Sequence, residues 1–140
     1  GVSKQAFYLL PKIRETEALL RSSYSDDLDW LETHPELCFS SFNGAMPMEE
    51  NKKTDAGFRE RKTVLARHIP ARTIDRLLRD LMASVPRAQC ARDDMVDALV
   101  CGVAARLDAA GRDCLPPGGQ EFDEVGLPMR ICYPIPTGSQ

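Results

Sequence analysis

The stretch Ala91–Arg106, ARDDMVDALVCGVAAR, restricts what this chain can fold into more than any other. Its first turns hold three carboxylates, Asp93, Asp94 and Asp97, and it then runs from Ala98 to Ala105 without a polar side chain. Met95, Leu99, Gly102, Val103 and Arg106 follow one helical face, while Val96, Val100 and Leu107 lie on another. The spacing predicts a helix buried on more than one side, flanked by a sheet or by other helices. Asp94 and Asp97 project from the same side of the first turn, and Asp93 points roughly 100° away.

These acids have two readings. As structure, Asp93 or Asp94 is a good N-cap, Asp94 with Asp97 resembles an acidic capping box, and negative charge suits a helix N-terminus. As chemistry, two carboxylates on one side offer oxygen ligands to a hard divalent cation, with a third still to be found.

Glu32 is the candidate third carboxylate. Leu28–Thr33 reads as a short strand that ends where a helix begins, and α/β proteins gather ligand groups at such strand ends. Thr33 with Glu36 has the spacing of a capping box, Pro35 is tolerated in a first helical turn, and His34 falls at the start of that helix. On its own Glu32 also fits a solvated strand-end acid.

The remaining chain reads in order. Phe7, Leu10, Ile13 and Leu20 recur at helical spacing, with Pro11 predicting a break and a restart. A Gly-, Asn-, Met- and Pro-containing loop over 42–51 is followed by a helix capped by Thr54 or Asp55, with Phe58, Arg61 or Lys62, and Leu65 inside. Ile74, Leu77, Leu78, Leu81 and Met82 mark an amphipathic helix over 71–84, edged by Arg72, Arg76 and Arg79. LPPGG at 115–119 is a breaker, and the alternation of Met129, Ile131 and Tyr133 predicts a strand over 128–133.

Charge is uneven. Positions 51–79 carry nine Lys or Arg against three Asp or Glu, a balance of +6, so that with a net charge of −3 the rest of the chain holds −9. An acidic protein of this kind is not a general nucleic-acid coat, yet the asymmetry suits a site that grips an anion on one side and a cation on the other. Lys52 and Lys53, in a loop just before a helix N-terminus, offer a phosphate seat. The length of 140 residues and 43% hydrophobic content fit a single domain over 1–140. Five scattered cysteines without a CxxC pair read as reduced, core-filling thiols. With no apolar run approaching a membrane span, the expectation is a cytoplasmic protein without a membrane partner.

In their order, Pro11-Lys12-Ile13-Arg14-Glu15, Glu32-Thr33-His34-Pro35-Glu36, Lys52-Lys53 with Gly57 and Arg61, Asp93-Asp94-Met95-Val96-Asp97-Ala98, and Gly126-Leu127 resemble the family catalogued as domain of unknown function number 429. The resemblance implies an incomplete α/β fold of RNase H-like type, mostly helical, with recognisable strands at 28–33 and 128–133. It also implies a predicted nuclease with clustered carboxylates binding Mg2+ or Mn2+. Carried over, Glu32, Asp94 and Asp97 would be catalytic and metal-ligating, and His34, Glu36, Lys52, Lys53, Arg61 and Asp93 accompanying motif residues; on a nuclease reading Lys52, Lys53 and Arg61 would contact phosphate. An early strand bearing an Asp and an Asp-x-Pro-x-Gly-Leu stretch, both expected of the family, have no counterpart here, so the chain resembles the C-terminal part of such a domain.

Two functions follow as expectations. One is a metal-dependent nuclease or phosphodiesterase, or its C-terminal part, acting on nucleic acid or another phosphoester. The other is a non-catalytic binding or assembly module whose acids cap helices. On either reading, a second copy or an N-terminal portion is expected to cover the apolar surface.

Overall fold

A computed structural model describes residues 3–22, 30–107, 111–118 and 121–135. The chain divides into two compact units, Gly1–Leu31 and Glu32–Gln140. The first contains helix α1 (Lys4–Leu20), which runs through Pro11 without the expected break. Proline removes one backbone donor, and with Phe7 and Pro11 both exposed the carbonyl left over can be hydrated.

The second unit is built from α2 (Pro35–Phe42), α3 (Asp55–Leu65), α4 (Ala71–Ser84), α5 (Arg92–Leu107), β1 (Arg112–Leu115) and β2 (Ile131–Pro134). Its core joins Cys38, Phe39 and Phe42 of α2, Val64 and Leu65 of α3, and Ile74 and Leu78 of α4 to Met95, Val96, Val100, Val103 and Ala104 of α5. The apolar helix is the hub, in contact with α2, α3, α4 and β2. It is covered over one broad face only. Ala98, Gly102 and Ala105 are exposed, and their small side chains cost little to leave in water.

The fold is mixed, mostly helical with two antiparallel strands. In the expected 28–33 strand, Leu28 and Asp29 lie outside the described residues. Trp30–His34 is not a strand, because its one ladder-like bond is the amide of Cys132 donating to the carbonyl of Glu32 at 2.7 Å. The expected 128–133 strand forms as Ile131–Pro134, with Pro128 bridged to Phe122. Its partner, β1, pairs Arg112 with Pro134 and Leu115 with Ile131. Arg-Asp-Cys-Leu has no apolar alternation to announce it. Cys114 and Cys132 stand opposite each other and form a disulfide, which corrects the expectation of reduced cysteines throughout. Cys38, Cys90 and Cys101 are free.

Candidate functional site

The loop before α3 is fixed by short-range chemistry. Thr54 is the N-cap, its hydroxyl accepting from the Gly57 amide at 3.0 Å and donating to the Asn51 carbonyl at 2.8 Å. Asn51 Oδ1 accepts from the Lys53 amide at 3.0 Å. A Cβ on Gly57 would come within 2.1 Å of the Asn51 carbonyl oxygen, so only glycine lets loop and helix approach this closely.

That loop presents Lys52 to α5. Its Nζ donates to Asp97 Oδ2 at 2.7 Å. The hydrogen bond to Asp97 lifts the Lys52 pKa above the usual 10.5, in spite of partial burial, and the charges of Asp97, Asp93 and Glu36 add to it. Asp97 is thus the acid in contact with Lys52, with Asp93 adding to it only through its charge. Asp94 turns back, accepting from the Ala91 amide at 3.1 Å as a helix cap.

Beside this pair lies a second one. Arg61 is only 4% exposed, and its guanidinium donates twice to Glu36, at 2.8 and 3.1 Å. It also donates to the Glu50 carbonyl at 3.0 Å and the Gly57 carbonyl at 3.3 Å, and lies 5.5 Å from the Phe39 ring. Glu60 adds to the grip on the loop, accepting from the amides of Glu49 and Glu50. The loop, α2, α3 and α5 are thus joined by two ion pairs, Lys52–Asp97 and Arg61–Glu36.

The structure distributes the remaining sequence-predicted residues as follows. Glu32 is exposed and engages β2 through its backbone carbonyl. His34 is the N-cap of α2 without a side-chain capping bond. The expected capping box does not form, because Glu36 faces the buried Arg61 and the Thr33 hydroxyl lies 3.1 Å from the Cys38 sulfur. Lys53 is exposed, whereas Lys52 and Arg61 are committed to carboxylates. Among the described residues, no group of three or more His, Cys, Asp or Glu could hold a metal ion. Asp97 meets an ammonium through Oδ2 and Asp94 meets a backbone amide.

The pairing of Arg61 with Glu36 was not read from the sequence, although one signal was there. Arg61 sits on the inner face with Phe58 and Leu65, and a cation on an apolar face needs an anion. Nearby, burial pushes the Cys101 thiol up to about 11, and the charges of Cys38 and Asp97 act in the same direction. An open cleft of about 480 Å³ is lined by Asn43, Met46, Pro47, Glu49, Glu60, Thr63, Val64 and Arg67, none of them a sequence-predicted site residue.

The model of one family, described as protein of unknown function (DUF429), matches residues 1–121. Comparison with curated proteins and with solved structures finds no match. No helix among the described residues is long and apolar enough to cross a membrane.

Proposed function

We propose, for a chain that belongs to the DUF429 family of proteins of unknown function, a non-catalytic role as a binding or assembly module. The observation that carries this reading is the engagement of the acids of α5, with Asp97 held by Lys52 and Asp94 by the Ala91 amide. Leu77, Leu81 and Met82 on α4, each more than a third exposed, give such a module apolar surface for a second copy or another partner. A cytoplasmic setting belongs to this reading, with the Cys114–Cys132 bond open to reduction there.

A metal-dependent nuclease or phosphodiesterase is the second reading, and one observation favours it. Asp97 Oδ1 is buried without a hydrogen-bond partner, and Asp93, Asp97 and Glu36 together favour positive charge where the Lys52 ammonium lies. A divalent cation and that ammonium would compete for the same carboxylate, with the exposed Lys53 left for phosphate.

Thermal melts of wild type, Lys52→Met and Asp97→Asn in magnesium and manganese, with a nuclease assay, decide between them. The first reading expects no metal-induced shift in any of the three and no hydrolysis. It also expects Asp97→Asn to lose about 1 kcal/mol with or without metal, through the broken hydrogen-bonded pair. Saturable stabilisation of Lys52→Met by metal, absent from Asp97→Asn, together with metal-dependent cleavage, would establish the second.

A further inference from the structure

The two strands are attached to the second unit very differently. β2 is seated on the helices: Cys132 and Pro134 are buried, Tyr133 packs against the core, the Cys132 amide donates to the Glu32 carbonyl, and the Ser41 hydroxyl donates to the Pro134 carbonyl. β1 packs chiefly on β2, with Arg112, Asp113 and Leu115 exposed. Besides its four-residue ladder, it is tied to the β2 side by the Ile135 amide donating to the Gly111 carbonyl and by the Tyr133 hydroxyl donating to Asp113. A two-stranded ladder this short is marginal in water, so a covalent link between opposed residues decides whether it persists.

We propose that the Cys114–Cys132 bond is a redox latch: oxidised, it holds β1 on β2, and reduced by a dithiol, it lets β1 leave while β2 stays on the helices. Cys114 is half-buried and Cys132 only 3% exposed, which directs an incoming thiolate to the Cys114 sulfur. Attack there breaks the protein disulfide, forms a mixed disulfide at Cys114 and expels Cys132 as a thiolate, which takes a proton. The reductant's second thiol then closes on its first sulfur, releasing Cys114 as a thiolate to be protonated from water. The protein gains two electrons and two protons, and the dithiol is oxidised to its own disulfide. Opening leaves the outer backbone groups of β2 unpaired, an edge able to accept another extended segment.

Hydrogen exchange resolved over 112–115 and 131–134, on the full chain oxidised with glutathione disulfide and then reduced with dithiothreitol, tests the latch, with thiols counted by alkylation. The oxidised chain should show three reactive thiols after denaturation and the reduced chain five. Exchange over 112–115 should quicken about 100-fold on reduction, while that of 131–134 and of α2–α5 changes less than threefold. Cys114→Ser/Cys132→Ser should match the reduced chain in either reagent. Five thiols after oxidation, unchanged exchange over 112–115, or quickened exchange throughout α2–α5 would each overturn the proposal.

Discussion

Arg61 and Glu36 share one ion pair and yet stand to lose different amounts when it is broken. The arginine is 5% exposed at its side chain and the glutamate 39%, so an abandoned carboxylate can be hydrated where an abandoned guanidinium cannot. Arg61→Ala also strands the Glu50 carbonyl and opens space beside Phe39. Its expected cost is about 3 kcal/mol by denaturant unfolding. Glu36→Gln keeps an acceptor for Arg61, and Glu60 stays 3.8 Å from the guanidinium, so the charge is not abandoned and the expected cost is about 1 kcal/mol. Equal losses would show that the pair is more evenly buried than the geometry says. A sequence reader sees both residues as motif members, and only Arg61, placed between apolar neighbours on α3, hints that its charge is internal.

At the scale of elements, the loop before α3 and the first turn of that helix act as one piece. Gly57→Ala drives a methyl into the Asn51 carbonyl, a backbone atom, and the loop must move. The expected loss is about 2 kcal/mol, with faster exchange of the Lys53 and Thr54 amides as its signature. Thr54→Ala removes the cap and should cost about 1 kcal/mol, with exchange quickened chiefly at Gly57, whose amide loses its acceptor. If Gly57→Ala were neutral, the close approach would not be what holds Lys52 toward Asp97. α3 and α4 were legible as helices because apolar spacing and Thr54 act within a few residues. β1 was not, since its pairing is decided by a strand nearly twenty residues on.

Stability of the whole molecule should respond to pH at two ends. His68 lies against the Phe42 ring, centroids 4.2 Å apart. Burial depresses its pKa below the ordinary 6.5, only partly offset by its bond to the Phe42 backbone. A depressed histidine takes up its proton more readily unfolded, so stability is full above pH 6.5 and falls below it. Lys52 has the opposite sense: its raised pKa contributes fully below pH 10.5 and is lost as pH rises through the higher folded value. The thermal midpoint should be level from pH 6.5 to about 9, where the buried Cys101 thiol, deprotonating more readily unfolded, starts the alkaline decline. The acid decline should be flatter in His68→Gln and the alkaline decline flatter in Lys52→Met. An acid slope unchanged by His68→Gln would assign that limb to other groups.

Local rules were enough to give α3, α4 and α5, a cap at Thr54 or Asp55, and the place of the apolar helix at the centre, because propensity, capping and period are properties of neighbouring residues. The family resemblance, not these rules, named Glu36, Lys52, Gly57, Arg61 and Asp97, and it did so alongside Glu32, His34, Lys53, Asp93 and Asp94. Which acid each cation meets, that Asp94 turns to the Ala91 amide, that Glu32 offers its carbonyl, and that Cys114 finds Cys132 were decided by tertiary structure. Partners distant in sequence are chosen by how helices and strands pack, and a carboxylate buried beside a lysine must pair with it before it can serve anything else.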